Sequence, residues 1–348
     1  MNKKKYPLVS ILIPNYNYEK YLTKCLDSVL NQTYPNYEVI FSDNNSTDNS
    51  YDLALSYIPR FREKNIFYSV IKNKYNLGSQ RNSGRCLNES EGDFIIYLSS
   101  DDYLEPTFIE KCMNILIENQ NVGMVMTDRI EIDEYDNKTI RPSFYNKSCI
   151  ISGEEQAAVF MMAGIAVPSQ VVYRRSILKK IGNLSLSFQV AGDWYQNFLF
   201  ACFSDIGYIS ESLCNYRIHS VNETNSSEVN LLGIFEHYQL INAFFRIAGE
   251  FKLNKVRDRY DEAIKKLGAM CLRYTLKMLK ADEIKSAKRY LQLAPVFDEN
   301  IVENEEYKKM KSWIKLNNDE LKEVLKNEPD IVRKVSYDPP KESKEIII

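Results

Sequence analysis

Two adjacent carboxylates, Asp101 and Asp102, follow the apolar run Phe94-Ile95-Ile96-Tyr97-Leu98 with only Ser99-Ser100 between. That spacing puts them where a buried strand would leave its sheet. Carboxylates this close repel, and both stay ionised only when a cation or strong hydrogen-bond donors compensate them. Hard oxygen ligands in that position suit Mg²⁺ or Mn²⁺, which bind proteins through one or two carboxylates plus substrate phosphates. Two more polar clusters follow apolar runs in the same way: Pro14-Asn15-Tyr16-Asn17, and Ser42-Asp43-Asn44-Asn45-Ser46-Thr47-Asp48. Such residues also make turns and helix caps, so one cluster alone says little. Three clusters, each after a buried strand, point into one crevice, because open parallel sheets bind ligands beyond the carboxyl ends of their strands.

The elements that must position them alternate in type. Residues 8–13, 37–41, 66–71, 94–98 and 122–132 read as strands, and 18–30, 79–89 and a stretch opening at Pro106 read as helices. Tyr21, Leu22, Cys25, Leu26 and Val29 share one face of the first helix, and Ser46-Thr47-Asp48 offers N-caps for a helix reaching residue 57. Repeated strand-helix units predict a mainly parallel sheet with helices on both faces. Beyond residue 150, helices at 152–163 and 193–203 flank a strand at 170–173, with a short strand at 214–218. From about 230 the pattern is all helical; Ile264, Leu267, Cys271, Tyr274 and Met278 fall at helical spacing. The expected units are therefore 1–228, a helical region 229–327, and a polar, loosely ordered tail 328–348.

Composition narrows the function classes. The 348 residues are 44% hydrophobic and 26% charged with net charge −2, an ordinary globular profile without the basic field that nucleic acid requires. Seven scattered cysteines without a Cys-x-x-Cys pair predict reduced, buried thiols in the cytoplasm and no zinc site. The lysines at 3–5 precede an apolar stretch too short for an export signal, and no run spans a membrane.

Taken together, Val9-Ser10-Ile11-Leu12-Ile13-Pro14-Asn15-Tyr16-Asn17, the 43–48 stretch, Asn76-Leu77-Gly78 with Arg81-Asn82-Ser83-Gly84, and Gly92-Asp93-Phe94 leading to Asp101-Asp102 resemble the inverting family 2 glycosyltransferases of GT-A fold, of the bacterial surface-polysaccharide type. The likeness covers about residues 6–225. It implies that Pro14 and Tyr16 line a nucleobase and ribose pocket and that Asp43 accepts a hydrogen bond from uracil, since an acceptor-only carboxylate suits an imide N–H. Arg81 matches a residue near base and diphosphate; a surface salt bridge is its plainer role. Ser100 and Asp101 match donor-binding positions, and Asp101, Asp102 and His219 match the metal side. The family's usual first acid is absent, because Ser99 stands in its place. Ala191-Gly192-Asp193-Trp194 resembles the motif whose Asp takes the acceptor's proton, although Asp193 also suits a helix start. Tyr216-Arg217-Ile218-His219-Ser220 resembles the segment in which Arg217 neutralises the leaving diphosphate.

The resemblance thus implies metal-assisted transfer, with Mg²⁺ or Mn²⁺, from a nucleotide-sugar donor, a UDP-sugar first, to a glycan or lipid-linked saccharide. The expected setting is the cytoplasm, including the inner face of the plasma membrane, and the C-terminal helices are expected to mediate oligomerisation or partner contact. Two rivals stay open: a nucleotidyltransferase, for which residues 14–17 lack the phosphate loop with Lys or Arg, and a catalytically silent module in glycan assembly.

Overall fold

Strand β1 (Val9–Asn15) is apolar on both faces, and so it needs cover on both. A computed structural model, describing residues 6–182, 188–219 and 227–348, supplies it. Val9, Ile11 and Ile13 enter one core with Leu22, Cys25, Leu26 and Val29 of α1 (Glu19–Leu30), while Leu12 enters the opposite core. Each fully buried Leu, Ile or Phe contributes about 1.5–3 kcal/mol, so the two-sided arrangement is strongly favoured. Lysines 3–5 and Ser220 lie outside the described residues.

On either side of β1 run β2 (Tyr37–Asp43) and β4 (Phe94–Tyr97), both parallel to it, and β3 (Phe67–Lys72) continues the parallel set beyond β2. The order 3-2-1-4 reverses between β1 and β4, which opens a crevice at their carboxyl ends. The connections carry α2 (Ser50–Ser56), α3 (Ile58–Glu63) and α4 (Ser79–Asn88). Gly78 precedes α4 at φ +81°, a conformation that costs glycine little. After the short β5 (Tyr103–Leu104) and α5 (Phe108–Glu118), β6 (Val122–Ile132) lies two places from β4.

The sheet then becomes mixed. Short β7 (Lys138–Thr139) borders β6, and β8 (Cys149–Ile151) leads into α6 (Gly153–Met162). A 3₁₀ turn at Pro168–Gln170 leads into β9 (Val171–Arg174), which is antiparallel between β4 and β6. Next come α7 (Arg175–Ile181), α8 (Gly192–Phe203) and β10 (Asp205–Arg217), the last parallel to β6. Among the described residues the seven cysteines are free, and no helix is long and apolar enough to cross a membrane.

Three expectations change. Helix α2 starts at Ser50 with no side-chain cap; Asp48 instead accepts from the backbone N–H of Ser50 and of Glu19, both at 3.0 Å, joining two helix starts. Strand β10 covers 13 residues rather than five, because register shifts around residues 209–214 break the alternation that announces a strand. The tail is not loose. Its Lys344–Glu345 pair forms β11 against β8, Tyr337 exchanges backbone bonds with Phe144 and Asn146 (2.8 and 2.9 Å), and Arg333 donates to the Ser143 carbonyl at 2.7 Å. Main-chain pairing covers a sheet edge and leaves no apolar pattern to read.

The helical region begins with Leu232–Glu250 and packs on α8, where Phe244 stacks on Phe198 at 3.8 Å, so that it joins the same apolar core as Leu12 and Met124 of the sheet.

Candidate active site

The ends of β1 and β2 are tied by a polar net. Asp43 is fully buried; Asn15 Nδ2 donates to its Oδ1 at 3.2 Å and the Ser46 N–H to its Oδ2 at 2.9 Å. Asn82 of α4 accepts from Ser42 Oγ and Asn73 Nδ2 and donates to the Ser42 carbonyl, at 2.7, 2.8 and 2.9 Å. Pro14 is half-buried, and Tyr16 beside it is 41% exposed. Arg81, one residue before Asn82, is exposed, and among the described residues it makes no ion pair, so the plainer alternative of a surface salt bridge is not seen.

Beyond β4 the chain turns sharply, with the Asp102 N–H donating to the Ser99 carbonyl at 3.1 Å. Ser169 Oγ donates to Asp102 Oδ2 at 2.6 Å and the Arg217 N–H to Oδ1 at 2.8 Å. Burial, reinforced by the Asp101 charge, pushes the Asp102 carboxyl well above the usual carboxylate range. Ser100 is buried, and its hydroxyl has no partner among the described residues. Asp101 Oδ2 lies 3.1 Å from His219 Nε2, with the rings of Tyr18 and Tyr21 5.6 and 5.4 Å from the imidazole.

A hard oxygen and an imidazole nitrogen in contact suit a small divalent ion. Among the described residues no group of three or more His, Cys, Asp or Glu is placed to hold one. A metal here would complete its shell from diphosphate and water, the usual habit of Mg²⁺.

Arg217 departs from expectation. Its guanidinium is 1% exposed; Nε donates to the Asp101 carbonyl at 2.9 Å, Nη1 to the Asp133 carbonyl and Nη2 to Asp136 Oδ1, both at 2.7 Å, and it lies 4.4 Å from the Tyr21 ring centre. It braces the turn that carries Asp101 instead of facing an open diphosphate site. Its position at the end of β10 gave no hint that loop 133–136 would close over it.

Across the rim, Asp193 stands in the first turn of α8, half-buried, with the Trp194 N–H donating to Oδ1 at 2.7 Å. Loss of water around the carboxyl pushes it up to about 6, partly opposed by the Arg129 charge. The same Arg129 acts on Asp102, and the Tyr216 hydroxyl feels Asp101, Asp102 and Asp193 together. The remote acids therefore share one neighbourhood.

Arg129 is the residue that sequence reasoning missed. It stacks 5.0 Å from the Tyr216 ring centre and donates to Gln170 Oε1 at 2.7 Å. The available signal was the switch from Val122–Met126-type apolar residues to Thr127-Asp128-Arg129 inside one strand.

Comparison with known proteins now decides the family. The model of glycosyl transferase family 2 matches residues 10–182. An uncharacterised glycosyltransferase of Rickettsia typhi is 30% identical over 237 residues, which are 68% of this chain and 70% of that protein. The chain belongs to glycosyl transferase family 2. This glycosyltransferase is also 38% identical over 137 residues to the chondroitin synthase of Escherichia coli, covering 38% of this chain and 19% of that one. In fold it is similar to Staphylococcus aureus TarS 1–349 in complex with UDP-GlcNAc, at a TM-score of 0.54 and 18% identity over 87% of this chain and 90% of that chain.

Proposed function

We propose that this glycosyltransferase moves a sugar, with inversion, from a UDP-sugar to a hydroxyl of a growing surface polysaccharide, and that Asp193 takes the hydroxyl's proton. The observation that carries the reading is the placement of Asp193, half-buried in the first turn of α8 and acting on the same Tyr216 hydroxyl as Asp101 and Asp102; there, loss of water pushes its carboxyl up to about 6. A base in that range is ionised at neutral pH yet basic enough to accept a proton. The UDP-GlcNAc complex of TarS and the likeness to a chondroitin synthase support the donor and product classes.

In the step, the acceptor O–H gives its proton to Asp193 and its oxygen bonds the anomeric carbon. The bond from that carbon to the diphosphate oxygen breaks on the opposite face, and its electron pair leaves with UDP. Tyr16 and Pro14 border the base, buried Asp43 holds that pocket's wall through Asn15 and Ser46, and exposed Arg81 meets the diphosphate, with buried Ser100 behind it. Mg²⁺ or Mn²⁺, held by Asp101 and His219 with Asp102 behind them, would supply positive charge against the leaving group. Arg217 fixes the Asp101 turn.

UDP release from a panel of UDP-sugars, with metal and with chelator, tests the proposal. Asp193→Asn is expected to lower turnover about 10²–10⁴-fold while UDP binding by calorimetry is unchanged. Pyrophosphate release would instead make the protein a nucleotidyltransferase, and binding without turnover would make it a silent module.

A further inference from the structure

Immediately ahead of Asp193, three consecutive backbone N–H groups converge on one carboxylate from the C-terminal region. Gln189 N donates to Glu236 Oε1 at 2.7 Å, and Val190 N and Ala191 N donate to Oε2 at 2.7 and 3.0 Å. Glu236 sits on the Leu232–Glu250 helix and is 6% exposed. A carboxylate this deep is tolerated only when strong donors satisfy it, and among the described residues its donors come from the loop that delivers Asp193. The same loop is held from the opposite side, where the Gln80 side chain on α4 donates to the Phe188 carbonyl. Trp194, next to Asp193, donates its indole N–H to the Phe160 carbonyl at 2.7 Å and meets the rings of His237 and Phe244 with centres 5.2 and 6.1 Å away.

We propose that Glu236 is a positioning residue for sugar transfer: its carboxylate fixes backbone 189–191 and thereby aims Asp193 at the acceptor hydroxyl. The helical region after residue 231 is then a wall of the active site, in addition to any partner it binds. This rests on reading Asp193 as the base. Only glutamate fits the task. Glutamine would turn an N–H₂ group toward N–H donors, and aspartate would draw the carboxylate back by one methylene. Misplacing a reacting group by about 1 Å costs roughly 10²-fold in rate.

The test uses the full chain and whichever of UDP-glucose, UDP-galactose, UDP-GlcNAc or UDP-GalNAc gives the fastest UDP release. Glu236→Gln and Glu236→Asp are expected to lower kcat about 10–100-fold with the donor KM within about twofold. The acid limb of kcat should move to lower pH, since a loosened loop lets water reach Asp193. Arg129, Tyr173 and Tyr216, the groups acting on Asp193 or in its field, are untouched in both variants, so the limb reports the loop.

In the unmodified protein, the amides of Val190 and Ala191 should exchange far more slowly than those of free peptide. Free-peptide exchange there overturns the proposal even if neither variant folds. A folded Glu236→Gln with unchanged kcat and limb, beside an inactive Asp193→Asn, overturns it alone. An active Asp193→Asn removes the base reading and this proposal with it.

Discussion

Two acidic sites share one rim but are built in opposite ways. The Asp102 carboxylate is gripped by donors from distant segments, Ser169 and the Arg217 backbone, and the turn before it is tied again by the Ser99 N–H bond to Ser169 Oγ at 3.1 Å. Among the described residues Asp193 accepts from the N–H that follows it and from no distant side chain, with the aromatic Trp194 and Tyr195 next in the chain and the Arg129 charge acting on it. Burial raises both carboxyls, Asp102 well above the usual range beside the Asp101 charge and Asp193 to about 6. What separates them is access: Asp102 is fully buried and pinned by its donors, whereas Asp193 is half-buried and free to exchange a proton. The contrast shows how one sheet edge gives two carboxylates different duties.

The largest effect should follow from breaking the apolar side. Phe244 stacks on Phe198 of α8 with ring centres 3.8 Å apart and both side chains fully buried. Phe244→Ala is expected to destabilise the fold by about 3–5 kcal/mol, measured by urea denaturation. UDP affinity at temperatures where the variant is folded should hardly change, since the polar net of Asp43 and Asn82 lies elsewhere. A loss under about 1 kcal/mol would mean that the helical region is not part of the Asp193 support.

The two sides were unequally legible in the sequence. The ends of β1, β2 and β4 were visible, because buried strands are continuous apolar runs and the turn residues after them stand out against that background. The residues joining those ends, Asn73 and Asn82, were less visible, since a buried amide net depends on spatial contact and not on spacing. On the other side Asp193 was found through its motif, but Glu236 was lost inside a helical pattern where a charged residue ordinarily faces solvent. Arg217 shows the converse, a legible residue whose partners in loop 133–136 no periodicity announced. Arg129 needed both faces of a strand to be distinguished at a place where the alternation was already giving way to polar residues.

Ser169→Ala sharpens the polar half of the contrast. It removes the hydroxyl that donates to Asp102 and accepts from the Ser99 N–H, while its small size leaves packing intact. Outer partners of metal-holding carboxylates are typically worth 10–100-fold in metal affinity or activity, and a loss near the lower end is expected here, because the Arg217 N–H still holds the other oxygen. The measurement is the Mn²⁺ concentration needed for half-maximal UDP release. An unchanged midpoint would show that Asp102 does not work through a metal.

The smallest effect, and the most diagnostic in sign, belongs to Arg129. Its positive charge favours the ionised form of Asp193 and so opposes the upward push of burial. With Arg129→Ala that opposition is gone. The Asp193 carboxyl then rises above about 6, more of it is protonated at pH 6, and the acid limb of kcat moves to higher pH, by up to about one unit for a partly screened charge. At pH 8 both forms are about nine-tenths ionised or more and the rates should nearly converge. The direction is opposite to that expected of Glu236→Gln, so the two variants separate a field acting on Asp193 from a frame that holds it. If both limbs moved the same way, or if the Arg129→Ala deficit persisted at pH 8, Arg129 would be acting on substrate and not on the base.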